Sequence, residues 1–120
     1  MNQYLKSVKS KNKYREFLKV LNGVLQLSDR EVDVLSILLQ LDVEWGNNFN
    51  LKNILSTDSR KAVMSSTKIN KNNLTKYIVK FKSLGILRNT TDKTWIVNEM
   101  FVPQIENNKV TISFILDINE

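Results

Sequence analysis

Apolar side chains recur at helical spacing in the middle of the chain. Between residues 71 and 84 they stand three and four positions apart, which predicts a helix with one buried stripe. The stripe consists of Leu74, Tyr77, Ile78, Phe81 and Leu84. With about 100° between successive residues, the opposite side presents Asn72, Thr75, Lys76, Val79, Lys80 and Ser83 to solvent. We expect Gly85 to end this helix in the left-handed conformation.

A helix at the N-terminus is predicted from about Ser10 to Asn22, because Asn22-Gly23 is a typical helix stop. Its apolar stripe consists of Tyr14, Phe17, Leu18 and Leu21. Residues 1–9 hold few apolar side chains and two lysines. We expect them to form a basic arm that is free to contact a polyanion.

The second predicted helix begins with a capping box, in which Ser28 is the N-cap and Glu31 bonds back to it. Most positions from there to about Asp42 are apolar, which indicates a helix at the centre of the core. The turn-rich segment 44–53 is predicted to be a loop, with a short strand near Phe49–Ile54.

A third helix and a turn precede the helix over residues 71–84. N-cap candidates at residues 56–59 predict a helix through about Ser65. Residues 66–70 form the predicted turn, in which Ile69 enters the core and Asn70 caps the next helix. Helix, turn and helix in this order predict a helix-turn-helix.

Short strands at residues 86–88 and 94–97, joined by the loop 89–93, predict a compact hairpin or wing. Further on, residues 109–118 alternate between apolar and other side chains, which predicts a long C-terminal strand. Asn107-Asn108 is expected to turn this strand back against residues 100–106, where Pro103 marks an edge or a bulge.

Together these elements predict an α+β fold. It is a winged helix-turn-helix of three to four helices with a small antiparallel sheet, made of the wing and the C-terminal strand. A chain of 120 residues is expected to form one domain. We divide it into a basic N-terminal helix or arm (1–24), a winged-helix core (25–97) and a C-terminal strand extension (98–120).

Charge is concentrated on the predicted helix-turn-helix and wing. Residues 60–93 carry a net charge of +8, whereas the whole chain carries +6. Residues 25–58 sum to −4 and residues 94–120 to −3. An AT-rich genome would explain abundant Lys but not this segregation, which is what a surface that binds a polyanion requires.

The composition excludes several functions. Without Cys or His the chain has no thiol nucleophile, no imidazole base and no Cys/His metal site. Its three scattered glycines form neither a P-loop nor a dinucleotide fingerprint. We therefore expect no enzyme activity, no catalytic residue, no metal and no cofactor. The absence of a membrane-length apolar run and of a signal peptide leads us to expect a soluble, cytoplasmic protein without a membrane partner.

The segment 60–88 resembles the helix-turn-helix and the start of the wing in the winged-helix superfamily, especially in MarR-like regulators and plasmid-type replication initiators. With Trp95-Ile-Val-Asn98 it is also similar to small winged-helix proteins of tailed phages. The resemblance covers about residues 25–100. It implies DNA binding in transcription regulation or replication initiation, in a host cytoplasm or a virion if the protein is phage-encoded.

We expect a sequence-specific or architectural DNA-binding protein. Its predicted partner is double-stranded DNA, with residues 71–84 in the major groove. Asn72 or Asn73 suits adenine, and Val79 suits the thymine methyl group. Lysines and arginines here, Lys82 among them, would hold phosphates. The predicted DNA-binding residues are Lys68, Lys71, Asn72, Asn73, Thr75, Lys76, Val79, Lys80, Arg88 and Lys93.

The alternative function is that of a structural or interaction protein, such as a phage virion component or an adaptor. The free edge of the C-terminal strand would extend the sheet of a partner. A homodimer, or a protein partner bound through the N-terminal helix or the C-terminal strand, stays open. Salt separates the two functions, because only nucleic-acid binding weakens steeply as salt rises. Trp45 and Trp95 are expected to pack in the core or on the sheet.

Overall fold

The computed structural model describes residues 5–45, 53–90, 93–113 and 115–119. They form an α+β fold, as predicted, with four α-helices and two small antiparallel sheets of two strands each. The helices are α1 (Lys13–Leu25), α2 (Asp29–Trp45), α3 (Thr57–Thr67) and α4 (Lys71–Ser83). The strands are β1 (Leu87–Asn89), β2 (Trp95–Val97), β3 (Ile105–Glu106) and β4 (Lys109–Val110). Short 3-10 turns occupy Ser10–Asn12 and Glu99–Phe101.

The first helix packs on the core through the predicted stripe, with Leu18 buried at its centre. The predicted end at Asn22-Gly23 is wrong, because α1 continues to Leu25 and Gln26 adopts the left-handed conformation. The Asn22 side chain bonds to the backbone N–H and carbonyl of Leu27, at 2.6 and 2.9 Å. Asn22 therefore joins α1 to the start of α2, and Leu25 extends the apolar stripe by one turn.

The second helix begins at the predicted capping box. Ser28 Oγ accepts the Glu31 N–H at 3.2 Å, and Glu31 Oε1 accepts the Ser28 N–H at 2.8 Å. The helix continues to Trp45, beyond the predicted end at Asp42. Asp42 is buried, and its Oδ1 accepts the backbone N–H of Val97 at 3.2 Å. The carboxylate thus faces β2 instead of ending the helix in solvent.

The third helix has the predicted N-cap, since Ser56 Oγ accepts the Ser59 N–H at 3.3 Å. It ends at Thr67 and not near Ser65, because the left-handed residue that terminates it is Lys68, with φ of 60°. The turn before α4 is correspondingly short. The predicted strand near Phe49–Ile54 lies mostly outside the described residues, and Ile54 itself lies in a turn.

The fourth helix begins at the predicted residue and ends at Ser83, one residue before the predicted end. Asn70 Oδ1 accepts the Asn73 N–H at 2.8 Å, which confirms the N-cap. Ile69, just before the cap, is buried. Gly85 has φ of 74°, a conformation that strains any residue with a Cβ, and it turns the chain toward β1.

The strands β1 and β2 form the predicted hairpin, with boundaries that differ from the prediction by one residue at both ends of β1 and at the start of β2. Leu87 faces Val97 across the hairpin, and both side chains are buried. The hairpin therefore packs on the helices at its base. Residues 91–92 of its loop lie outside the described residues.

The prediction of a long C-terminal strand is wrong beyond Val110, where β4 ends. Asn107 and Asn108 form the predicted turn, with φ of 52° and 59°, but β4 pairs with β3 over two residues only. Residues 111–113 and 115–119 belong to no helix or strand. In the described part of the chain β3 extends only to Ile105, which lies opposite Val110, so the residues after Val110 have no strand of this sheet to pair with. The partner strand thus ends before the alternating sequence does.

Candidate nucleic-acid interface

Helix α4 turns its apolar stripe toward the core. Leu74, Ile78 and Phe81 are buried, and Tyr77 is half-buried. Leu84 is 48% exposed, so its predicted place in the buried stripe is wrong. It is the C-cap, where the chain leaves the helix, and helical spacing no longer fixes the direction of its side chain.

The outer face of α4 has the exposure that the sequence predicts. Its side chains are exposed at Asn72, Asn73, Thr75, Lys76, Val79, Lys80 and Ser83. Amides, a hydroxyl, an ammonium and an isopropyl group therefore lie along one side of a single helix. Such groups can bond to base edges and contact a thymine methyl group in the major groove.

Two of the predicted cations are held by carboxylates. Lys80 Nζ lies 2.9 Å from each carboxylate oxygen of Glu31. Arg88 on β1 makes a two-point ion pair with Glu99, in which its Nε lies 3.1 Å from Oε2 and its Nη2 contacts Oε1. Sequence reasoning missed both pairs, because no local pattern joins residues of different elements.

A second group of predicted cations extends into solvent. Within the described part of the chain, the ion pairs involve none of its members, which are Lys68, Lys71, Lys76 and Lys93. Lys68 lies in the turn before α4, and Lys93 in the loop of the hairpin. Lys82 differs from them, because its Nζ lies 4.2 Å from the centre of the Trp95 ring.

A cleft of about 500 Å³ separates α3 from the start of α4. Its lining includes Arg60, Lys61 and Lys71 and no carboxylate. The Arg60 Nε donates to the Leu55 carbonyl at 2.9 Å, which holds the guanidinium at the edge of the cleft. In the sequence, Arg60 and Lys61 contribute only to the net charge of residues 60–93. The packing of α3 against α4 brings them beside Lys71.

Glu31 is the carboxylate that connects α2 with α4. Burial of Glu31 opposes its ionisation, but the Ser28 backbone N–H, the Lys80 ammonium and the Ser28 hydroxyl outweigh that effect. The pKa of Glu31 therefore lies below its ordinary value of 4.5. The charged form is favoured, and it holds Lys80 at the edge of the outer face of α4.

Within the described residues, no group of three or more acidic, His or Cys side chains could hold a metal ion. The helices of this part of the chain are also too short or too polar to cross a bilayer. Comparison with protein-family models, with curated proteins and with solved structures finds no match to the chain.

Proposed function

We propose that this protein is a winged helix-turn-helix DNA-binding protein that places α4 in the major groove of double-stranded DNA. Transcription regulation or replication initiation is the proposed role. The single observation that carries the proposal is the outer face of α4, where exposed amide, hydroxyl and ammonium groups share one side. No Asp or Glu interrupts the sequence from Ser59 to Thr91, so the surrounding potential attracts phosphate.

In this complex the outer face of α4 reads bases. Asn72 or Asn73 bonds to the edge of adenine, and Val79 contacts a thymine methyl group. The Thr75 hydroxyl donates to the Lys71 carbonyl at 3.0 Å, so its lone pairs are left to accept a hydrogen bond from a base. Lys76 reaches a base or a phosphate.

The exposed lysines around α4 position the protein on the backbone. Lys68 and Lys71 flank the first turn of the helix, whose dipole also favours a phosphate. Lys93 lies in the loop of the hairpin and contacts the backbone beside the groove. These contacts carry no sequence information and make the affinity depend on salt.

A salt titration of binding to a short random duplex tests the proposal. Four unpaired lysines in contact with phosphate give a slope of log K against log salt of roughly −3 to −4. Replacing Lys68, Lys71 and Lys76 with Ala should reduce most of that slope, whereas Lys11→Ala, before α1, should change it little. If the folded protein shows no binding to the duplex at low salt, the proposal is wrong.

A second candidate function, that of a structural or interaction protein such as a virion component or an adaptor, is favoured by one observation. Ile115, Leu116 and Ile118 are 84 to 91% exposed near the C-terminus. Exposed apolar groups of this size mark surfaces that bind protein. A complex formed through them would depend weakly on salt, in contrast to DNA binding.

A further inference from the structure

The C-terminal segment combines exposed apolar side chains with an open sheet edge. Beyond β4 the exposed fractions are 91% for Ile115, 88% for Leu116 and 84% for Ile118. In the described sheet β4 pairs with β3 on one side, so its other side presents free backbone groups. The residues that follow are suited to a strand by their alternation, and within the described part of the chain residues 111–113 and 115–119 pair with no strand.

The charge of the segment indicates which partner suits this edge. Residues 94–120 carry a net charge of −3, which makes a polyanion an unfavourable partner. Within the alternating part, Lys109 and Asp117 carry the two charges and stand at opposite ends. A strand with a cation at one end and an anion at the other complements a second copy of itself in the antiparallel direction.

The antiparallel register follows from these two charges. When Ser113 faces Ser113 of a second copy, Lys109 of each copy faces Asp117 of the other, and Val110 faces Leu116. A two-fold axis passes through the Ser113 pair and relates the copies, so the Lys109–Asp117 and Val110–Leu116 pairs each occur twice. Parallel pairing would instead place like charges opposite each other. An antiparallel shift that pairs Thr111 with Asp117 would place Lys109 opposite Asn119 and lose both ion pairs.

We propose that two copies of the chain associate through residues 109–113 and 115–117, paired antiparallel about Ser113. The strand order in the dimer is β3-β4-β4-β3, so both copies of β4 become central strands. A two-stranded hairpin is marginal in water, whereas a four-stranded sheet with an apolar face is not. The association does not depend on the proposed DNA binding.

Sedimentation equilibrium of the full chain, without DNA, tests this dimer. We expect a reversible monomer–dimer equilibrium. Lys109→Asp and Asp117→Lys each turn two attractive cross-strand pairs into repulsive ones, which should weaken dimerisation roughly tenfold. The double variant restores opposite charges in the same register and should return the dissociation constant to near that of the unchanged protein. Lys11→Asp makes the same change of charge before α1, at an exposed residue, and should leave the dissociation constant unaltered.

Three results would overturn the proposal. The first is a chain that stays monomeric at every concentration, as expected if the segment binds a different protein. The second is a dimer that Lys109→Asp does not weaken, and the third is a double variant that does not recover. Thermal melting of each variant verifies that the body of the protein is folded, which is expected because both positions are exposed.

Discussion

The ammonium of Lys80 on α4 lies 2.9 Å from both carboxylate oxygens of Glu31 on α2, although 49 residues separate the two in sequence. Glu31 also accepts the Ser28 N–H that begins α2. One side chain therefore both starts the central helix and holds the proposed recognition helix against it. Lys80 is 43% exposed and Glu31 only 8%, so the pair lies at the margin of the proposed interface.

Glu31→Gln should destabilise the protein by about 1 kcal/mol, because the amide keeps the bond to Ser28 but no longer pairs with a charge. Equilibrium unfolding in urea measures the change. Glu106→Gln, which removes a carboxylate from exposed β3, is the matched control and should alter the free energy of unfolding little. Equal stability of the Glu31→Gln variant and the unchanged protein would show that the ion pair does not contribute.

The pH dependence of stability should reveal the same pair. The folded protein lowers the pKa of Glu31, so its contribution is complete above the ordinary value of 4.5 and is lost as pH falls through the lower folded pKa. The difference in unfolding free energy between the unchanged protein and Glu31→Gln should thus shrink below about pH 4.5. A difference that stays constant down to pH 2 would contradict this assignment.

Substitutions on α4 should separate base contacts from phosphate contacts. Asn72→Ala should lower discrimination between DNA sites by about 1 to 3 kcal/mol if Asn72 makes a two-point contact with adenine. Lys71→Ala should weaken binding to all sequences alike and reduce the salt slope by about one. Fluorescence anisotropy with a panel of duplexes measures both. The groove assignment is wrong if only Lys71→Ala alters sequence preference.

Glu99→Gln should strengthen DNA binding, because it removes the carboxylate that pairs with Arg88 and frees the guanidinium to contact a phosphate. We expect the salt slope to become steeper by about one as Arg88 gains a phosphate. Glu106→Gln removes one negative charge elsewhere and serves as the control. Identical behaviour of the two variants would mean that Arg88 does not reach the DNA.

The features that could be predicted from the sequence are those that local chemistry decides. Ser28, Ser56 and Asn70 each bond to backbone within three residues, so a short window contains the whole signal. The buried stripe of α4 was also predictable up to Phe81, since helical spacing alone orients its members. The absence of Asp and Glu from residues 59–91, which supports the proposed interface, can likewise be read from the sequence.

What sequence reasoning missed depends on partners that lie far away along the chain. Alternation over residues 109–118 indicates a potential strand, but a strand needs a ladder, and β3 is too short to supply it. Lys80 was predicted as a phosphate contact because nothing in the sequence of α4 indicates that Glu31 of α2 lies beside Lys80. The end of α1 was missed because the Asn22 side chain bonds forward to Leu27.

The hydrogen bond from the Val97 N–H to Asp42 anchors the base of the hairpin to α2. The inner ends of β1 and β2 are buried, whereas Asn89 and Lys93 at the outer end are exposed. Trp95 at the outer end is anchored as well, because its carbonyl accepts the Ile54 N–H at 3.0 Å and its N–H donates to Asn53 Oδ1 at 3.2 Å. Lys93 lies beyond both anchors, so its side chain can change direction while β1 and β2 stay in place. In the proposed complex, Lys93 could follow phosphates of different spacing along grooves of unequal width, and the core would not have to repack.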